Sequence, residues 1–115
     1  MRLPWSRDDR IFVLALFKVL QLSYRNKDPR VLEAARMTGS CQSDRSPDSI
    51  VYKLQNFRYL DTDGKSGFSH YASEDKEVWE EFKGREEALQ TEAERIRSMK
   101  KKCKEERREE QVPTG

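Results

Sequence analysis

The stretch Arg45-Ser46-Pro47-Asp48-Ser49-Ile50-Val51-Tyr52-Lys53-Leu54-Gln55-Asn56-Phe57-Arg58-Tyr59-Leu60 decides the fold of this chain. It opens with a clear helix start, because the Ser46 hydroxyl can accept a free backbone N–H of the first turn. Pro47 follows at the first helical position, where its missing N–H costs nothing. Ile50, Leu54 and Phe57 then recur at helical spacing. The pattern predicts a helix over residues 46–60 with one buried side.

The opposite side of this helix is polar and aromatic. A helix that is buried on one side and carries hydrogen-bonding groups on the other suits the major groove of DNA. An ordinary surface helix with polar residues fits the same pattern. Under the DNA interpretation, four side chains face the groove, and they are Ser49, Tyr52, Lys53 and Asn56. Three more hold phosphates, and they are Arg45, Arg58 and Lys65.

Two further helices are predicted before this one. Ser6 can cap a first helix that runs to about Tyr24 with a wide apolar face. Asp28 and Pro29 repeat the cap-then-proline signal and begin a short second helix, Arg30 to Met37, which Gly39 ends. Two short helices joined by a tight connection are typical of a helix-turn-helix. The predicted fold class is therefore all-α, a trihelical helix-turn-helix-like unit plus a long, charged C-terminal helix.

The C-terminal third of the chain is helical in pattern but almost wholly charged. Val78, Trp79 and Phe82 are expected to pack back onto the three helices. We therefore divide the chain into a helical DNA-binding domain, residues 3–83, and a charged helical extension, residues 84–115, frayed or disordered at its end. One apolar column continues into the extension at seven-residue spacing, and its members are Phe82, Leu89, Ile96 and Cys103. The charged residues predict a solvated single helix. The apolar column alternatively predicts a weak contact through residues 82–110, either between two copies of the chain or with a partner protein.

Composition limits the kinds of partner that the chain can bind. The 115 residues are 35% hydrophobic and 38% charged, with a net charge of +2. Residues 1–76 hold 13 basic and 10 acidic side chains, a net charge of +3. This mild excess predicts modest, salt-sensitive binding to double-stranded DNA rather than tight wrapping.

The cysteines and the apolar runs bear on the cellular setting. Cys41 and Cys103 are far apart in the sequence, which predicts neither a disulfide framework nor a zinc site and fits a reducing cytoplasm. Cys41 is expected to be a small filler in a loop. The apolar run from Ile11 to Leu16 is too short to cross a bilayer, so no membrane partner is expected.

Candidate catalytic and ligand-binding motifs fail on inspection. The loop from Asp61 to Gly67 has the wrong register for calcium, because Ser66 stands at the sixth position, where the EF-hand needs glycine. Gly64-Lys65-Ser66 lacks the upstream glycine of a phosphate-binding loop. His70, the only histidine, has no acidic, thiol or histidine partner at a usable spacing. We predict no catalytic residue, no metal and no cofactor.

Four segments, in order, resemble a known family. They are Pro4-Trp5-Ser6-Arg7-Asp8, residues 45–57, Leu60-Asp61, and Asp75-Lys76-Glu77-Val78-Trp79-Glu80-Glu81-Phe82. Together they look like the N-terminal module found ahead of HNH nuclease domains in bacterial restriction-type endonucleases, over roughly residues 3–83. The resemblance implies a trihelical unit that binds duplex DNA, modified or not, with an added C-terminal helix. It implies no catalysis, since nothing here matches the His-Asn-His nuclease site. A detached module, a truncated gene product and a stand-alone regulator all fit.

Overall fold

A computed structural model describes residues 4–20 and 27–111, with side chains up to residue 106. This part of the chain forms five α-helices and no β-strand. The helices are α1 (Arg7–Leu20), α2 (Pro29–Met37), α3 (Pro47–Asp61), α4 (Ser73–Glu81) and α5 (Glu86–Gln111). The all-α prediction is confirmed. The predicted continuation of the first helix to Tyr24 lies outside the described residues.

The three predicted helix starts are confirmed in atomic detail. The Ser6 hydroxyl accepts the amide of Asp9 at 3.0 Å at the start of α1. Asp28 caps α2, with Pro29 at its first position. The Ser46 hydroxyl accepts the amide of Ser49 at 3.2 Å, which satisfies one free donor of α3.

Helix α1 is the centre of the molecule, because α3, α4 and α5 all pack against it. Its buried side chains extend almost all the way round, and Ile11 and Leu14 are each 1% exposed. Ile50, Leu54 and Phe57 of α3 are fully buried, so the stripe predicted from their spacing is confirmed. Val78 and Phe82 follow them into the same core, as predicted.

The chain does not continue straight beyond Phe82. Helix α4 ends, Gly84 turns the backbone at a φ of +72°, and α5 returns along α1. Leu89 and Ile96 are fully buried by this return. The expectation of a solvated single helix is therefore wrong, and the apolar column that predicted a dimer seam instead lies in the core of the single chain.

The return of α5 also joins the two cysteines. Cys41, after α2, and Cys103, on α5, form a disulfide across a sequence separation of 62 residues, with their Cα atoms 5.5 Å apart. The predictions of an unpaired filler at Cys41 and of no disulfide are wrong. Sequence spacing could not show the pair, because it forms only when α5 folds back over the residues that precede α3.

Among the helices that the structure describes, none combines the length and apolar character needed to cross a membrane.

Candidate functional site

A set of buried charged residues lies beneath the N-terminal part of α3. Charged side chains are rarely buried unless they are paired. We call this set the buried ionic network; its members, each at most 8% exposed, are Asp9, Arg10, Arg45, Lys53 and Asp75.

Asp75 is one centre of this network and is itself fully buried. Its carboxylate accepts the Arg10 Nε at 2.8 Å and the Lys53 Nζ at 2.7 Å. It also accepts the backbone amide of Ala72 at 2.9 Å, so the same side chain caps α4. A single carboxylate thus connects α1, α3 and α4 at the point where they meet.

Asp9 is the second centre, on the other side of α1. Its Oδ2 accepts a guanidinium nitrogen of Arg45 at 3.0 Å and the backbone amide of Gly39 at 3.0 Å. The Lys100 ammonium lies 3.4 Å from its other oxygen. Asp9 therefore connects α1 to Gly39 just after α2, to Arg45 two residues before α3, and to α5.

Trp5 lies between the two centres. The Arg45 guanidinium is 3.8 Å from the centroid of the indole ring, and the Lys53 ammonium is 5.0 Å from it. The Trp5 carbonyl accepts a guanidinium nitrogen of Arg10 at 2.7 Å. The face of an indole ring attracts cations, so Trp5 stabilises a network in which buried cations outnumber buried carboxylates.

Burying these charges makes the ionised form of Lys53 less favourable. Burial lowers the pKa of the Lys53 ammonium below its ordinary value, and the hydrogen bond and charge of Asp75 oppose that change. Burial dominates because a desolvated ammonium loses more hydration than one carboxylate returns. Lys53 is therefore a structural cation of the core.

Three residues predicted to contact DNA are buried, which corrects their placement. Arg45 and Lys53 belong to the buried ionic network, and Asn56 is fully buried. The Asn56 Nδ2 donates to the carbonyl of Phe68 at 3.0 Å. The helical pattern placed Lys53 and Asn56 on the outer side, but α4 and the segment that follows α3 cover that side as well.

The segment over residues 62–71, which we call the α3 cover, packs directly on the C-terminal half of α3. The Phe68 amide donates to the Gln55 carbonyl at 3.0 Å. Gly67 has a φ of +95°, and a Cβ there would lie 2.4 Å from the Gln55 carbonyl oxygen. This close approach of two backbones leaves no room for a nucleic-acid backbone over that half of the helix.

The N-terminal half of α3 remains open on its outer side. Ser49 is half-buried there, and Tyr52 is 43% exposed. Phe68 of the α3 cover, 44% exposed, brings its ring within 5.0 Å of the Tyr52 ring. We call Tyr52 and Phe68 the exposed aromatic pair. Of the other predicted contacts, Arg58 is half-buried and Lys65 is exposed, both toward the far end of α3.

Helix α5 brings cations to residues 38–44, which connect α2 to α3. The Lys100 ammonium donates to the Gly39 carbonyl at 2.7 Å, and Lys104 donates to the Thr38 carbonyl at 3.1 Å. Lys104 also pairs with Asp44 at 2.5 Å, just before the start of α3. Lys101 and Lys102, on the same turns of α5, are exposed. Sequence spacing could not show that this part of α5 packs on residues 38–44, between α2 and α3.

No protein-family model, curated protein or solved structure matches this chain. The residues that carry the resemblance noted in the sequence nevertheless have a defined place in the fold. Three of its four segments supply Arg45, Lys53 and Asp75 of the buried ionic network and Trp5, whose ring contacts the network's cations. The motifs that carry the resemblance thus contain residues that pack the helices together, and any binding function must rest on the exposed residues.

Proposed function

We propose that this protein is a DNA-binding module that contacts duplex DNA through the N-terminal half of α3 and has no catalytic role. The observation that carries the proposal is the open outer side of α3 at Ser49 and Tyr52, opposite its fully buried stripe. Helices that read the major groove do so with their N-terminal residues. In this proposal α2, the residues that follow it and α3 act as a helix-turn-helix.

The exposed groups suit base edges. The Tyr52 hydroxyl can donate or accept a hydrogen bond. The Ser49 hydroxyl donates to the Ser46 carbonyl at 2.7 Å, which leaves its oxygen as an acceptor. Phe68 offers an apolar edge, which suits contact with a thymine methyl group. Together these groups supply polar and apolar contacts over about two turns of helix.

We expect the phosphate contacts to be made by cations near the two ends of α3. Asp48 places a negative charge in its first turn, which disfavours a phosphate at the helix N-terminus itself. Lys101 and Lys102 lie on the α5 turns that pack on residues 38–44, a few residues before α3, and Arg58 and Lys65 lie toward its other end. A 15-residue helix is about 22 Å long, which exceeds the roughly 12 Å width of the major groove. Cations at both ends therefore suit the two strands that border the groove.

The first test measures duplex binding by fluorescence anisotropy at low and moderate salt. A double variant, Tyr52→Ala with Phe68→Ala, is expected to weaken binding about tenfold or more, at about 1–3 kcal/mol for a good base contact. Val19→Ala is the matched control, because Val19 is an exposed apolar side chain, 55% accessible, at the end of α1. No binding of the wild-type protein at low salt, or equal binding by the aromatic variant, would refute the proposal.

A second test separates charge from base contact. A variant with Lys101→Ala and Lys102→Ala is expected to reduce the slope of log K against log salt by about 0.9 for each phosphate that the protein no longer neutralises. Lys83→Ala is the control, since Lys83 is exposed at the turn before α5 and lies on the order of 25 Å along the helix from these lysines. An unchanged slope in the double-lysine variant would remove α5 from the interface.

A further inference from the structure

We propose that Cys41 and Cys103 form a reversible thiol–disulfide site that latches the basic end of α5 onto the α2–α3 connection, residues 38–46. Cys41 is exposed within that connection, so a small thiol can reach its sulfur. Cys103 is half-buried on α5, with its Cα 5.5 Å from that of Cys41, a separation typical of disulfides. The chain contains only these two cysteines, so no other thiol of the chain competes for either.

The latch acts on one half of α5 and not on the other. Up to Ile96 the helix is held by the core, because Leu89 and Ile96 are fully buried and Ala93 is 6% exposed. These residues pack against α1 without help from the cysteines. Opening the disulfide therefore leaves the first half of α5 in place.

Beyond Ile96 the described contacts of α5 with the rest of the protein are mostly polar. Arg97 pairs with Glu33 on α2, Lys100 bonds the Gly39 carbonyl, and Lys104 bonds the Thr38 carbonyl and Asp44. The Arg97–Glu33 pair is about half exposed and stabilises weakly, whereas Lys100 also lies 3.4 Å from the buried Asp9. The disulfide is the one covalent attachment among the described contacts of this half. Without it, the described attachments of residues 97–106 to the rest of the protein are these side-chain contacts.

The opening reaction needs a thiol reductant, such as glutathione or dithiothreitol. Its thiolate attacks the exposed Cys41 sulfur, forms a mixed disulfide with Cys41 and expels the Cys103 thiolate, which takes up a proton. A second thiolate attacks the reductant's sulfur in that mixed disulfide and releases Cys41, which is protonated in turn. Two electrons and two protons pass to the protein, and the reductant leaves as its own disulfide. Oxidised glutathione reverses each step.

The two states differ in where the cations of α5 lie. In the disulfide state Lys101 and Lys102 are held on the turns of α5 that pack on the α2–α3 connection. In the dithiol state residues 97–106 separate from the α2–α3 connection and these lysines lose their fixed position. The effect on α5 is independent of any ligand, whereas the effect on duplex binding rests on the proposed function.

Hydrogen exchange read by mass spectrometry tests the latch on the full chain. Wild-type protein is compared in oxidised glutathione and in dithiothreitol. Peptides from residues 97–106 and 38–44 are expected to exchange roughly tenfold faster in the reduced state, and peptides from residues 7–20 and 86–96 equally in both. A variant with Cys41→Ser and Cys103→Ser is the control and should exchange at the reduced rate in both buffers. Equal exchange of wild-type residues 97–106 in the two buffers, or an intact mass showing no disulfide after oxidation, would overturn the latch.

Duplex binding measured on the same two states distinguishes the latch from the proposed function. If the protein binds DNA as proposed, reduction should weaken binding several-fold and lower its salt slope, as Lys101→Ala with Lys102→Ala does. Redox-dependent exchange with no duplex binding in either state would support the latch and refute the DNA-binding proposal. Duplex binding combined with hydrogen exchange that does not depend on redox state would support the DNA-binding proposal and refute the latch.

Discussion

Replacing Asp75 by asparagine tests the buried ionic network most directly. Asparagine keeps the shape of the side chain and an oxygen that can accept the Ala72 amide, so the cap of α4 survives. The substitution removes the negative charge that Arg10 and Lys53 contact at 2.8 and 2.7 Å. The change therefore isolates the electrostatic role of one fully buried carboxylate.

The expected loss follows from those two contacts. A hydrogen bond to a charged group contributes about 1.5–3 kcal/mol, and removing one partner of a buried ion pair costs about 3–5 kcal/mol. The two cations are at most 8% exposed, so water cannot replace the missing charge. We expect Asp75→Asn to lower the free energy of unfolding by about 3–5 kcal/mol.

Urea denaturation followed by circular dichroism measures this loss. The midpoint should fall while the slope m stays constant, because the surface exposed on unfolding is unchanged. At about 4 °C per kcal/mol for a chain of this size, the melting temperature should fall by roughly 12–20 °C. Glu77→Gln, an exposed carboxylate on the same helix, is the control and should stay within about 0.5 kcal/mol of wild type. A loss below about 1 kcal/mol for Asp75→Asn would refute the assigned role.

Three further outcomes follow from the geometry. Gly67→Ala should cost about 2 kcal/mol or more in urea denaturation, because its Cβ would meet backbone at a φ of +95°. Gly84→Ala, at a φ of +72° in open space, should cost only about 1 kcal/mol of strain, and equal losses would contradict the close packing of the α3 cover. Burial lowers the pKa of Lys53, so the unfolded state holds that proton after the folded state has lost it. The free energy of unfolding should therefore increase with pH between the lowered pKa of Lys53 in the folded state and its ordinary pKa. Lys53→Met should abolish that increase when unfolding is measured over a series of pH values. Arg7 lowers the pKa of Glu81, so their pair stabilises above the ordinary carboxyl pKa and is lost as the pH falls through the lower folded value. Glu81→Gln should cost less than about 1 kcal/mol at pH 7 and less still near pH 3, and a cost that grows in acid would contradict the assignment.

The buried ionic network also fixes the geometry on which the proposed interface depends. Arg45 precedes α3 and contacts Asp9 on α1 at 3.0 Å, while Lys100 on α5 lies 3.4 Å from the same carboxylate. Asp9 thus contacts both a residue just before α3 and a lysine in the basic half of α5.

The sequence by itself determined the local features of the fold. Ser46 and Pro47 begin α3, Gly39 adopts a φ of +84° after α2, and Ile50 with Leu54 faces the core, all as predicted. Each of these features depends on residues within a few positions of one another. An N-cap side chain accepts a hydrogen bond from the backbone amide three residues later, and buried apolar side chains recur about once per helical turn. Both features can therefore be predicted from residue spacing alone.

Only the tertiary structure decided which polar residues are available at the surface. Lys53 and Asn56 carry the same helical signal as Tyr52, yet the first two are buried and Tyr52 is 43% exposed. The difference arises from partners distant in sequence: Asp75 is 22 residues from Lys53 and 65 from Arg10, and Cys103 is 62 from Cys41. A helical period shows which residues share a face, but not how many neighbours pack on it. Here α1, α2, α4 and the α3 cover pack on α3 and leave the outer side of its N-terminal half open, where the proposed function is placed.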